Sequence, residues 1–148
     1  SADVTRIAFR TETERVLGHA VCTADYVGQL SDPGYPDKLK VLFSEFAESY
    51  RYRQIPESQW PFASYEVMLR STSGFWSTFV QHKLHVECAG ICRYLEHPLS
   101  GDNCYFEAIE RNMAAIARRI ASVGFVSVSL ERGMKGRVMD FLRQRVSR

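Results

Sequence analysis

The sequence predicts a mainly α-helical, single-domain bundle of five or six helices, and three observations lead to this fold class. Apolar residues recur at three- and four-residue spacings through most of the chain, as they do on the buried face of a helix. Breaks that contain proline or glycine separate these stretches at residues 31–36, 54–58 and 98–102. A length of 148 residues suits one sizeable core. Residues 1–148 are therefore expected to form one helical domain.

The first half of the chain is predicted to contain three helices. Residues 4–30 carry a helical stripe that is expected to begin late, because the early threonines are weak helix formers. Asp37 suits the N-cap of a helix over residues 38–53. Ser58 suits the cap of a third helix that ends near residue 70. The serines and glycine of residues 71–74 are expected to separate it from the next helix.

The second half is predicted to add two well-defined helices. Residues 75–97 form the longest apolar stretch, and Pro98 ends it because proline cannot continue a helix. Asp102 or Asn103 then caps an amphipathic helix in which large apolar residues recur every three or four positions.

The end of the chain carries a different pattern. Residues 125–130 alternate apolar and polar side chains with period two, which predicts a short strand. This strand could form one short β pair with residues 5–10. A last helix is expected over residues 137–145.

Charge is distributed unevenly between the body of the chain and its C-terminal segment. Residues 111–148 carry nine Arg or Lys and two acids, a net charge of +7, whereas residues 1–110 carry ten bases and fifteen acids, a net charge of −5. A polarised charge distribution of this kind favours a polyanionic partner. Gly133 and Gly136 add a turn whose backbone could approach a phosphate closely.

The basic segment therefore supplies the first predicted function. The chain is interpreted as a non-enzymatic regulatory or binding protein whose basic C-terminal surface contacts a polyanion, either a nucleic acid or the acidic face of a protein. Self-association into a homodimer is a further option, because the body is acidic. The predicted contact residues are Arg132, Lys135, Arg137, Arg143 and Arg145. The plain alternative is a flexible turn before a solvated cationic helix.

A loop rich in aromatic residues and arginine supplies the alternative function. Between Tyr50 and Trp60 the chain places tyrosine, tryptophan and arginine, the residue types that anchor protein interfaces. Tyr52 and Trp60 are the predicted contact residues of a protein–protein interaction adaptor. Stacking on nucleic-acid bases is also compatible with these side chains.

One helix carries candidate metal ligands. His85, Cys88 and Cys92 fall at i, i+3 and i+7 in the predicted helix 75–97, so they share one face. An imidazole and two thiolates are ligands for zinc. Three ligands on one straight helix rarely close a tetrahedron, so packing of these cysteines in the core is favoured, and no metal or cofactor is expected.

Catalysis and membrane insertion find little support in the sequence. The chain contains no nucleotide-phosphate loop and no serine-nucleophile elbow, and a cysteine-dependent enzyme is the weaker alternative. No apolar run is long enough to span a bilayer, and the N-terminus does not resemble a secretory signal. A cytoplasmic protein with reduced thiols is the expectation.

Overall fold

Four α-helices make up most of the structure, a computed structural model that describes residues 4–122. The helices are α1 (Glu12–Ser31), α2 (Tyr35–Tyr52), α3 (Tyr65–Gly74) and α4 (Cys104–Ser122). Three 3-10 turns join them, at Val4–Arg6, Glu57–Gln59 and Ile91–Leu95. Two π-helical stretches follow α3, at Phe75–Val80 and Lys83–Glu87. Residues 4–122 contain no strand. The mainly α fold class is confirmed for this range, whereas the number of five or six helices is not.

The first helix begins at Glu12, well after the start of the apolar stripe. The Thr11 side chain accepts a hydrogen bond from the Glu14 amide, so α1 starts late, as predicted. The second helix begins earlier than predicted, because Gly34 occupies the N-cap position and Pro36 fits the first turn. Asp37 is therefore not the cap. It lies inside the first turn and pairs with Arg119 of α4.

A helical rod continues through the predicted break at residues 71–74. The α3 helix is capped by Ser64, not by Ser58, and it passes directly into the π-helical stretches. The predicted break is wrong because Ser71 and Thr72 donate their hydroxyls to backbone carbonyls one turn earlier. These bonds satisfy the polar side chains without breaking the helix.

The same rod ends sooner than the predicted residue 97. The last π-helical stretch closes at Glu87, and Ala89 and Gly90 then adopt positive φ angles of 53° and 65°. A left-handed residue ends a helix because it reverses the path of the backbone. The single straight helix over residues 75–97 is therefore wrong beyond Glu87.

The fourth helix joins the two parts of the core. Its cap is Asn103, whose side-chain oxygen accepts from the Phe106 amide at 3.2 Å, as predicted. Ile109 packs into an apolar cluster with α1 and the π-helical rod, and Ile116 packs into a second cluster with α2 and α3. Trp76 is buried in the first of these clusters and Phe62 in the second.

Several sequence predictions fall outside the described residues. These are the strand at 125–130, the helix at 137–145 and the contact residues from Arg132 to Arg145. Residues 5–10 contain a 3-10 turn and irregular backbone instead of a strand, so the β pair is not confirmed. Within the described range, no helix combines the length and the apolar character needed to cross a bilayer.

Candidate partner-binding surface

The C-terminal end of α2 separates two tyrosines that lie two positions apart. Tyr50 is 2% exposed and packs into the core, whereas Tyr52 is 89% exposed. Residues two positions apart on a helix differ by about 200° in direction, so Tyr50 and Tyr52 point to nearly opposite sides. Tyr52 is therefore available to a partner at this end of α2, whereas Tyr50 belongs to the core.

Trp60 supports this surface instead of forming its free face. Its indole N–H donates to the Ile55 carbonyl at 2.9 Å, and its ring centroid lies 5.4 Å from that of Tyr50. The Arg51 guanidinium carbon lies 5.4 Å from the same ring centroid. The tryptophan is half-buried and its polar group is already bonded, so Trp60 fixes the loop against the end of α2.

Two arginines flank the exposed tyrosine. Arg51 and Arg53 are both exposed, and neither forms an ion pair with a residue of the described range, although Glu48 lies one turn earlier. Their charges remain available to a partner. We call Arg51, Tyr52, Arg53 and the supporting ring of Trp60 the Arg–Tyr corner.

The described part of the basic C-terminal segment uses much of its charge internally. Arg119 donates to the Pro36 carbonyl and to the Asp37 carboxylate, each at 2.7 Å. Arg111 lies 3.6 Å from Glu107 in an ion pair. Within the described range, Arg118 is exposed and makes no ion pair. The five contact residues predicted in this segment, Arg132, Lys135, Arg137, Arg143 and Arg145, lie outside the described residues.

The Arg–Tyr corner and the described end of α4 lie at opposite ends of α2. Arg119 holds the last turn of α4 against Pro36 and Asp37, at the start of α2. Tyr52 is the last residue of α2, about 22 Å further along the axis at 1.5 Å per residue. The Arg–Tyr corner and the described end of α4 are thus separate surfaces.

The structure separates the three candidate metal ligands. His85 Nδ1 lies 3.9 Å from Cys92 Sγ, but Cys88 packs in a different cluster with Cys22 of α1. The π-helical turn and the left-handed residues after it change the helical register, so i, i+3 and i+7 no longer share one face. Among residues 4–122, no three His, Cys, Asp or Glu side chains are grouped to hold a metal ion.

The structure buries a lysine, Lys83, that the sequence analysis did not identify as part of a site. Lys83 is 3% exposed; its ammonium lies 2.6 Å from Glu87 Oε2 and 5.6 Å from the Phe79 ring centroid. Burial lowers the pKa of Lys83, but the hydrogen bond and charge of Glu87, with smaller contributions from Tyr26 and Cys22, outweigh it and raise the pKa. The i, i+4 spacing of Lys83 and Glu87 inside an apolar stretch is the sequence signal that could have indicated this ion pair.

Comparison with known proteins yields no relative, since no protein-family model, no curated protein and no solved structure matches the chain. Function is therefore inferred from the chemistry and geometry of the chain's own residues.

Proposed function

We propose that this protein is a non-catalytic binding protein that holds an acidic protein partner at the Arg–Tyr corner. The observation that carries the proposal is the exposure of Tyr52, 89%, between two arginines that make no ion pair in the described range. Tyrosine and arginine are among the residue types that are enriched at the energetic centre of protein interfaces.

The electrostatics of the corner favour an acidic partner. The C-terminal end of a helix carries about half a negative charge from the macrodipole. Arg51 and Arg53 lie at this end of α2 and together exceed that charge. Their guanidinium groups also suit carboxylates, because the planar fork pairs with two oxygens at once.

The geometry favours a protein over a single-stranded nucleic acid at this corner. Proteins that bind single strands stack successive bases on several aromatic rings. At the Arg–Tyr corner, Tyr52 is the exposed ring, whereas Trp60 is half-buried and lies against Arg51 and Tyr50. One free ring supports a protein contact better than a track of bases.

Nucleic-acid binding through the basic C-terminal segment is the second candidate function. The observation in its favour is the net charge of +7 over residues 111–148. Phosphate contacts by Lys and Arg dominate such binding and make it strongly dependent on salt. The predicted contacts are Arg132, Lys135, Arg137, Arg143 and Arg145.

A binding assay with two kinds of probe tests both candidates. A fluorescent polyglutamate peptide stands in for an acidic protein face, and a mixed-sequence single strand and duplex stand in for nucleic acid. Binding to the full chain is measured by anisotropy across a salt series. Tyr52→Ala, and Arg51→Glu with Arg53→Glu, are each expected to weaken peptide binding by about tenfold or more.

The chain offers a matched control for these variants. Arg93 and Tyr94 form a second exposed pair, with the guanidinium carbon 5.0 Å from the tyrosine ring centroid and Tyr94 73% exposed. Tyr94→Ala and Arg93→Glu are expected to leave peptide binding unchanged. Equal losses in both pairs, or no peptide binding at low salt, would contradict the proposal.

The same assay recognises the second candidate. Binding of nucleic acid that is unaffected by Tyr52→Ala but is weaker and less dependent on salt in Arg137→Glu assigns the contact to the C-terminal segment. A photo-crosslinker at position 52, compared with one at position 94, then identifies a protein partner. The captured protein is purified and titrated against wild type and Tyr52→Ala, so that direct binding decides the result.

A further inference from the structure

Two cysteines from distant parts of the chain meet in a buried cluster. Cys22 of α1 is 4% exposed and Cys88, just after the π-helical rod, is fully buried. They pack together with Val4, and Tyr26 and Ile91 cover them from the side. The two thiol groups also hydrogen-bond to each other. Neither cysteine forms a disulfide in the structure, so the pair is a dithiol within the core.

A buried ion pair acts electrostatically on these two cysteines. Glu87 Oε2 holds the Lys83 ammonium at 2.6 Å, and the ammonium charge lowers the pKa of the Cys88 thiol, although hydrogen bonding and burial outweigh it. A cation next to a thiol favours the thiolate, the form that reacts as a nucleophile. Lys83 therefore opposes, in part, the effect of burial on this pair.

The two thiols have different roles. The hydrogen bond with Cys22 raises the pKa of the Cys88 thiol most, and burial and the charge of Cys22 raise it further. Cys88 therefore keeps its proton, and Cys22, which is 4% exposed whereas Cys88 is fully buried, is the sulfur that a small oxidant reaches first. Cys22 is the attacking sulfur, and Cys88 is the neighbouring thiol that can resolve the product.

We propose that Cys22 and Cys88 form a redox site that a peroxide oxidises to an intramolecular disulfide. A peroxide is the chemical class that fits, because both sulfurs are buried and a small oxidant reaches them more readily than a bulky disulfide. This inference does not depend on the Arg–Tyr corner, which lies on other elements of the fold.

The reaction balances in two steps. The Cys22 thiolate attacks one peroxide oxygen and the O–O bond breaks; the released hydroxide takes up a proton as water, which leaves a sulfenic acid on Cys22. The Cys88 sulfur then attacks the Cys22 sulfur, the S–O bond breaks, and the hydroxide leaves with the Cys88 proton as a second water. Two thiols lose two electrons and one peroxide gains them.

The other two cysteines do not form such a pair. Cys92 is buried, and its sulfur lies 3.9 Å from the His85 imidazole. Cys104 is exposed at the start of α4. Oxidation at Cys104 is therefore expected to leave a modified single thiol or a cross-link between molecules, not an intramolecular disulfide.

Peptide mapping of the oxidised full chain tests the proposal. The reduced protein is treated with hydrogen peroxide, the remaining thiols are alkylated, and the digest is analysed without reduction. The expected result is a peptide pair that joins Cys22 to Cys88, with the loss of two of the four thiols and recovery by dithiothreitol. The melting temperature of the oxidised monomer is expected to rise, because the bond constrains the unfolded chain.

Three variants make the result specific. In Cys88→Ser the resolving thiol is absent, so a dimedone-reactive sulfenic acid is expected to persist on Cys22. Lys83→Met keeps the length of the side chain but removes the cation, and it is expected to slow disulfide formation several-fold. Cys104→Ser is the matched control and is expected to form the disulfide as wild type does.

The wild-type protein alone is sufficient to overturn the proposal. Peroxide treatment that consumes Cys104 and leaves Cys22 and Cys88 as free thiols would do so. Oxidation of Cys22 to sulfinic acid with no linked peptide would also do so. These readouts remain decisive even if a cysteine variant fails to fold.

Discussion

The side chain of Asn112 on α4 caps the end of α1 by donating to the Leu30 carbonyl at 2.8 Å. The same amide group donates to the Asp32 carbonyl, also at 2.8 Å. Carbonyls in the last turn of a helix have no partner within the helix. Asn112 is 7% exposed, so water does not readily replace it. Through this contact α4 satisfies a helix end that lies 82 residues earlier in the sequence.

Asn112→Ala is expected to destabilise the fold by about 1–3 kcal/mol, because it leaves buried carbonyls without a donor. Urea unfolding followed by circular dichroism measures the change. Glu110→Ala, on the exposed face of α4, is the control and is expected to shift stability by no more than about 0.5 kcal/mol. Equal midpoints for wild type and Asn112→Ala would show that the capping contact does not stabilise the fold.

Tyr50 and Tyr52 are expected to differ sharply when each is truncated. Tyr50→Ala removes a buried ring from the core and is expected to cost about 3–5 kcal/mol. Tyr52→Ala removes an exposed ring, and its effect on stability is expected to stay within about 0.5 kcal/mol. Thermal and urea unfolding of both variants tests this difference. Comparable losses of stability would mean that Tyr52 supports the fold and is not a free contact residue.

The sequence predicted those elements whose signals are local. The start of α4 at Asp102 or Asn103 is predictable because a cap acts over three residues. Phe46 and Tyr50 lie four residues apart, so they share one face of the predicted helix 38–53, and both are buried. Tyr52 lies outside that face, so helical periodicity alone could have separated the two tyrosines.

The features that the sequence did not predict depend on the surroundings. The break at residues 71–74 was inferred from serine and glycine, but hydroxyls bonded to the preceding turn keep that stretch helical. Burial of Lys83 depends on α1 and on Phe79. Contact between Cys22 and Cys88 joins distant parts of the chain, and no local pattern encodes it.

Two glycines are expected to respond oppositely to the same substitution. A Cβ at Gly28, inside α1, would meet nothing within 4 Å. Gly28→Ala is therefore expected to stabilise the protein by about 0.5–1 kcal/mol, because alanine loses less backbone entropy on folding. Gly90 has a φ of 65°, so Gly90→Ala is expected to cost about 1 kcal/mol through backbone strain.

Urea unfolding of the two glycine variants gives the signs directly. Each variant adds one methyl group, so a difference between them isolates the backbone conformation. If Gly90→Ala is as stable as wild type, the chain can leave the left-handed conformation after Glu87 without cost, and the proposed end of the π-helical rod is wrong.

Tyr35 is expected to make the protein less stable at alkaline pH. Its side chain lines a cavity of about 60 Å³ between α2 and α3, and burial raises its pKa from 10.0 to about 12. Below pH 10 both the folded and unfolded chains keep the phenol proton. Between pH 10 and 12 the unfolded chain loses that proton first, so the free energy of unfolding falls by about 3 kcal/mol across this window.

Tyr35→Phe isolates this contribution, because it removes the titrating hydroxyl and keeps the ring. Urea unfolding of wild type and variant is compared from neutral pH to about pH 12. The difference in their free energies of unfolding is expected to stay constant up to about pH 10 and then to move in favour of the variant. Other tyrosines and lysines titrate equally in both proteins and cancel. Parallel profiles through the whole range would show that the Tyr35 phenol ionises in the folded protein as readily as in the unfolded chain.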